Sequence, residues 1–201
     1  MCQFIETLCV QRGKVQHLKY HQDRVNQSRR EVLGIIEPLV LADIITVPDS
    51  LKQRERIKCR LLYSASVEEI TLVEYQLRTI RSLRLLDHHT IEYPYKFANR
   101  DQINELFVRR GDADDILIVK QGLITDTSYS NVAFYDEKQW VTPHQPLLPG
   151  TCRARLLEEG VLVEKKVTPD DLAHFTHCSL INAMLPLGEC KVTISDIRWY
   201  S

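Results

Sequence analysis

The sequence predicts an α+β fold, and three observations carry that reading. Short runs such as "QFIETLCV" (3–10) alternate apolar and polar residues, the two-residue period of half-buried strands. Longer charged stretches such as residues 20–34 end on glycine, the pattern of a helix closed by a left-handed cap. The texture then changes near residue 90, which divides the chain into a small α/β N-terminal domain, 1–90, and a larger C-terminal domain, 91–201.

In order along the chain, "QFIETLCV" is a strand, and "GKVQHLK" is its hairpin partner after Arg12-Gly13. "YHQDRVNQSRREVLG" is a charged helix closed by Gly34. "PDSLKQRER" opens a second helix, with Pro48 and a capping Asp49 or Ser50. "IKCRLLYSA" and "EEITLVEYQ" are strands. "HTIEYPYKFANRD" leads a strand into a helix over 100–111, and "DDILIVKQG" is a buried strand with a turn. Between two apolar flanks lies "ITDTSYSNVAF" (124–134), where six polar residues, Asp126 to Asn131, occupy what a short glycine turn would normally do. "NVAFYDEKQWVTP" gives a strand, a turn and a short strand, and "LLPGTCRARLLEEG" a loop and a helix ending at Gly160. "VTPDDLAHF" reads as a helix start with Thr168 as cap, and "CSLINAML" and "CKVTISDI" finish as strands.

Composition narrows the function classes. Among 201 residues, 26 Lys plus Arg balance 27 Asp plus Glu, which argues against a nucleic-acid surface. The basic runs "KQRERIKCR" and "RTIRSLR" alternate with apolar residues and read as solvated faces of half-buried elements. Six cysteines without a CxxC pair suit a reducing, cytoplasmic setting. No run approaches the roughly 18 apolar residues of a membrane span. His88-His89 and His174-x-x-His177 lack a matching acid or cysteine set, so no metal site is expected.

Four clusters could carry chemistry, and each also has a plain structural reading. "GTCR" (150–153) precedes a helix, whose free N–H groups suit a phosphate or need only a cap. Lys96, among Tyr93, Tyr95, Phe97 and Asn99, is either a desolvated amine nucleophile or a snorkelling surface lysine. Asp126 either fixes a cationic nitrogen or bonds its own turn. Arg24 shares a helix face with His21. Together, a lysine nucleophile, an acid for a pyridinium nitrogen and a phosphate cradle are the groups pyridoxal phosphate needs.

Five segments, "FIETLCVQRGKVQHLKYHQDR", "YKFANRDQINEL", "GLITDTSYSNVAF", "WVTP" with "LLPGTCR", and "LINAMLPL", stand in an order that resembles the class IV (fold type IV) pyridoxal-phosphate enzymes. That family includes branched-chain and D-amino acid aminotransferases and 4-amino-4-deoxychorismate lyases. The resemblance implies a two-domain, D-amino acid aminotransferase-like fold with a shortened N-terminal domain. It implies that Lys96 holds the cofactor and shuttles the proton, and that Asp126 pairs with the pyridine nitrogen, supported by Asn131. Arg24 would reach the phosphate, with the backbone N–H groups of Thr151, Cys152 and Ala183. Asn99 and Arg100 would lie near the cofactor's phenolic oxygen or the substrate. Three departures stand out: aspartate replaces the usual glutamate at 126, cysteine the usual threonine at 152, and the first domain is compact.

Within the family, K-x-x-N-R (Lys96, Asn99, Arg100) and N-A-M-x-P (182–186) look more like the aminodeoxychorismate lyases, which release pyruvate and p-aminobenzoate. The alternatives are an amino acid aminotransferase, of branched-chain or D-amino acid type, and a catalytically silent relative acting as a binding module. The resemblance also implies a homodimer acting on a small amino substrate.

Overall fold

The first predicted strand forms as Phe4–Gln11 (β1) in the computed structural model, which describes residues 2–199. Arg12 and Gly13, both at positive φ (47° and 76°), make the two-residue turn to Lys14–Val15 (β2). The hairpin partner is shorter than expected because His17, also left-handed, turns the chain into the helix Leu18–Leu33 (α1). Gly34 closes α1 at φ 71°, its N–H donating to Arg29 O and Arg30 O. A four-residue helix, Leu41–Ile44 (α2), was not expected. The helix predicted at "PDSLKQRER" is only a 3₁₀ turn, Asp49–Leu51, for no side chain caps it. Ile57–Tyr63 (β3) and Val67–Glu74 (β4) complete an antiparallel sheet ordered β2-β1-β3-β4.

β1 and β3 alternate strictly enough to point Phe4, Leu8, Val10, Ile57, Cys59, Leu61 and Tyr63 into one core, which Val25 of α1 and Leu41 of α2 join. Phe4 stacks on Tyr63 and on Phe97, each with ring centres 5.4 Å apart.

By packing, the chain falls into two units. One is the chain through Leu77 together with Tyr95–Asn99; the other is Arg78–Pro94 with the chain from Arg100 onward. The expected division near 90 is displaced, and the Lys96 segment belongs to the first unit. Its backbone is the reason: Lys96 O accepts from Ile5 N (2.8 Å) and Ala98 N donates to Gln3 O (2.8 Å), beside β1. The strand expected before it does not form; Pro94 lacks an N–H and a single bridge, Phe97 to Phe4, remains.

The first strand of the second unit, Leu83–Asp87 (β5), was not expected; it starts at the last two residues of the basic run "RTIRSLR". Asp101–Val108 (α3) follows, then Asp115–Lys120 (β6), Leu123–Thr127 (β7), Asn131–Tyr135 (β8) and Trp140–Pro143 (β9). Thr151–Glu158 (α4) leads to Leu162–Lys165 (β10), and His177–Asn182 (β11), Leu185–Thr193 (β12) and Ile197–Arg198 (β13) end the unit. The helix predicted after Thr168 is a 3₁₀ turn, Asp170–His174, although Thr168 and Asp171 do exchange bonds as a capping pair. The mixed sheet runs β10-β9-β8-β7-β6-β5-β13, with β11 paired to both β8 and β12. Parallel pairs occur at β5–β6, β13–β5 and β10–β9. Mixed strands and helices in two units agree with the α+β expectation.

Among the described residues, no helix is long and apolar enough to cross a membrane. All six cysteines are free thiols, five of them buried.

Candidate active site

The polar stretch 126–131 is not a six-residue loop. Asp126 and Thr127 end β7 and Asn131 starts β8, so only Ser128, Tyr129 and Ser130 lie outside strands. No glycine is needed because no residue here takes a positive φ. Instead Thr127 closes the turn: its N–H donates to Ser130 O (2.9 Å), and its Oγ1 accepts from Ser130 N (3.1 Å). The whole stretch is buried except Tyr129, which is 58% exposed.

Asp126 and Asn131 face each other across the β7–β8 pair. Asn131 Nδ2 donates to Asp126 Oδ1 (2.8 Å) and to Leu148 O (2.9 Å), while Leu148 N donates to Asp126 Oδ2 (2.9 Å). The acid is thus fastened to the loop that enters α4. Gly150 stands in that loop for space, not for φ, which is −74°. A Cβ there would lie 1.9 Å from Asn131 Oδ1, so only glycine lets the side chain approach.

Asp126 is 5% exposed, and burial raises its pKa to about 6 against the lowering pull of Leu148 N–H and Asn131. Arg153 acts on it only at longer range; its Nη2 is engaged by Pro143 O (2.8 Å) and by Glu164. Among the described residues, no lysine, arginine or histidine forms an ion pair with Asp126. The result is a buried carboxylate held by neutral donors, with no ion pair of its own.

Three other expected positions adjoin this framework. Thr151 and Cys152, both buried, begin α4, where no side chain caps the free N–H groups. Burial also raises the Cys152 thiol, so it serves there as a small apolar group. Ala183 sits in the turn joining β11 to β12. Asn182, which was not anticipated, ties that turn to the acid-bearing one: its Nδ2 donates to Ser130 Oγ (2.9 Å) and its Oδ1 accepts from Met184 N (2.8 Å). Arg100 grips the same turn through Ser128 O (2.5 Å).

Lys96, Asn99 and Arg24 belong to the first unit. Lys96 is half-buried at the centre of a γ-turn in which Phe97 N donates to Tyr95 O (2.8 Å). Phe97 packs on Phe4, and Tyr95 donates to Glu31 Oε2 (2.9 Å), so the residues on either side are fixed. Asn99 is exposed.

Arg24, 13% exposed, is bound by a residue not anticipated. Glu6, fully buried in β1, accepts from Arg24 Nε (3.0 Å) and Nη2 (2.5 Å), and from Thr7 N (3.0 Å); His21 Nδ1 lies 2.9 Å away. Burial alone would raise this acid, but Arg24 and His21 together hold it well below the usual carboxylate range. The signal was present: in "FIETL" the acid takes the same inward face as Phe4 and Leu8.

The donors suit pyridoxal phosphate. In the second unit, the uncapped end of α4 suits an anionic group and the buried acid suits a protonated ring nitrogen; in the first, the oriented Arg24 guanidinium suits an anion and the half-buried Lys96 an aldehyde.

The sequence matches the Amino-transferase class IV family over residues 3–191. It is 39% identical over 186 residues to an uncharacterised protein of Haemophilus influenzae, covering 92% of this chain and 98% of that one. A crystal structure from Haemophilus somnus 129PT, provisionally named a 4-amino-4-deoxychorismate lyase, aligns with a TM-score of 0.87 at 32% identity, over 93% of this chain and 98% of its own. Another from Mesorhizobium loti, provisionally named an amino-acid aminotransferase, aligns with a TM-score of 0.78 at 25% identity, over 98% and 100%. With its mixed fold, its fastened acid and a family match across nearly its whole length, the chain belongs to the class IV aminotransferases, a pyridoxal-phosphate-dependent family.

Proposed function

We propose that the protein is a pyridoxal-phosphate enzyme of the 4-amino-4-deoxychorismate lyase type, releasing pyruvate and p-aminobenzoate. The observation that carries this reading is Asp126, a buried acid held by neutral donors and without an ion pair, which would serve the ring nitrogen. Bound, the cofactor supplies an electron sink for the bonds broken at the amine-bearing carbon.

The chain's own residues do the rest. Lys96 would be the covalent attachment point, and its Nζ would also be the base that takes the proton from the amine-bearing carbon. Asp126, held by Asn131, would keep a proton on the ring nitrogen and so keep the sink effective. The groups that would neutralise a phosphate are Arg24, oriented by Glu6, in the first unit and the first N–H groups of α4 in the second. The pyruvate group leaves as the ring becomes aromatic.

Two features favour the lyase: K-x-x-N-R with N-A-M-x-P, and the provisional name of the Haemophilus somnus relative. The name of the Mesorhizobium loti relative favours the second reading, an amino acid aminotransferase, which uses the same base and sink. A homodimer is expected for either and is checked by light scattering.

The test is the visible absorption of the protein with pyridoxal phosphate, beside Lys96→Ala. A band that borohydride fixes covalently in the wild type and that the variant lacks is expected. With aminodeoxychorismate, the lyase releases equal amounts of pyruvate and p-aminobenzoate. An aminotransferase instead converts one equivalent of an amino acid to its 2-oxo acid with no second substrate present. Absence of the band in the wild type overturns the proposal.

A further inference from the structure

Arg100 was expected beside the cofactor or the substrate, and its side chain is engaged elsewhere. It stands at the N-cap of α3 with non-helical backbone (φ −130°, ψ 22°), and its carbonyl accepts from Asn104 N (2.8 Å). The side chain reaches the turn between β7 and β8. Nη2 donates to Ser128 O (2.5 Å), and the guanidinium carbon lies 3.8 Å from the centre of the Tyr129 ring.

These two contacts need arginine. A planar guanidinium can donate along its edge and stack by its face at once, whereas an ammonium can only do one or the other well. They also account for Tyr129, a large aromatic left 58% exposed in an otherwise buried stretch: its ring covers the guanidinium. The turn so gripped spans three residues, with Asp126 two residues before Ser128 and Asn131 just after Ser130. Its other fastenings include Thr127 Oγ1 within the turn, Asn182 on Ser130 and the buried Asp115 carboxylate, which interacts with Ser128.

We propose that Arg100 is a positioning residue: it acts through the Ser128–Ser130 turn to hold the Asp126 carboxylate in place, and does not itself bind substrate or cofactor. The catalytic consequence rests on the function proposed above; the grip on the turn does not.

The test is amide hydrogen exchange on the cofactor-free protein, followed by pyridoxal phosphate titration of the same samples. In Arg100→Gln and Arg100→Lys, the Ser130 amide should exchange about ten- to a hundredfold faster, since Gln loses both the stack and the charge-assisted bond and Lys cannot keep both at once. Tyr129→Phe keeps the stacking face and should exchange as the wild type does, and Tyr129→Ala should fall between. In the loaded protein, Arg100→Gln should shift the pH midpoint of the visible band and lower kcat with little change in KM. Unchanged exchange in both Arg100 variants overturns the inference, as does a rise in KM for a carboxylate-bearing substrate with kcat preserved. A wild type that forms no visible band, with faster exchange in the variants, defeats the proposed function and leaves the grip of Arg100 standing.

Discussion

Two buried carboxylates, one in each unit, have opposite fates. Glu6 is fully buried but shares its oxygens with Arg24, beside His21, and stays ionised far into acid. Asp126 is almost as buried, is held by backbone N–H groups and an asparagine with Arg153 only at longer range, and is raised to about 6. Desolvation is the largest influence on both, so the difference lies in the cation. A buried acid that already has its cation shapes the protein. On the function proposed above, Asp126 would be completed by a cationic ligand.

The comparison breaks most severely at Glu6. Glu6→Ala leaves Arg24 with no carboxylate in a site that is 13% exposed, and should cost about 3–5 kcal/mol in a urea titration at neutral pH. Equal loss at all pH values would contradict the pairing. Glu6 is lowered in the folded state, so its stabilisation is present above the ordinary carboxylate pKa and is lost as pH falls below it.

Asp126 should behave with the opposite sign. The folded protein holds this proton more tightly than the unfolded chain, so the stabilisation is present below about pH 4 and lost as pH rises through about 6. The raised pKa corresponds to on the order of 3 kcal/mol across that window. Asp126→Asn should abolish this slope in a pH series of melts, whatever its effect on absolute stability. A slope that survives assigns the proton elsewhere.

Gly150→Ala sharpens the account of how Asp126 is fastened. The added Cβ meets Asn131 Oδ1 at 1.9 Å, so the side chain must give way, at about 1–3 kcal/mol. In Asn131→Ala the same glycine substitution should be nearly neutral, and a double-mutant cycle reads the difference. The smallest effect belongs to an exposed pair: Lys120 and Glu92 lie 2.6 Å apart with the acid largely in solvent, and Glu92→Gln should change stability by about 0–1 kcal/mol.

Local chemistry was legible in the sequence. The Arg12-Gly13 turn, the left-handed caps at Gly34 and Gly160, and the strands flanking residue 126 all follow from backbone preferences that neighbouring residues set. Elements whose outcome rests on packing were not. "PDSLKQRER" has helical composition but no capping bond, and the strand Leu83–Asp87 starts at the end of a basic run that carries no strand signal of its own. The six-residue loop read at 126–131 contracts to three because Thr127 replaces glycine as the closing device. The candidate site divides the same way. Asp126 and Asn131 were named, but Gly150 makes room for Asn131, and Asn182 reaches Ser130 across 52 positions. Such contacts exist only once the sheet has formed.

The most direct measurement is the ionisation of Asp126, followed by ¹³C NMR of the labelled carboxylate against Asp126→Asn, with and without pyridoxal phosphate. The account predicts a midpoint near 6 in the cofactor-free protein that moves to lower pH when the cofactor binds, as the ring nitrogen supplies the missing cation. A midpoint that does not move on binding would show that Asp126 serves only its own turn.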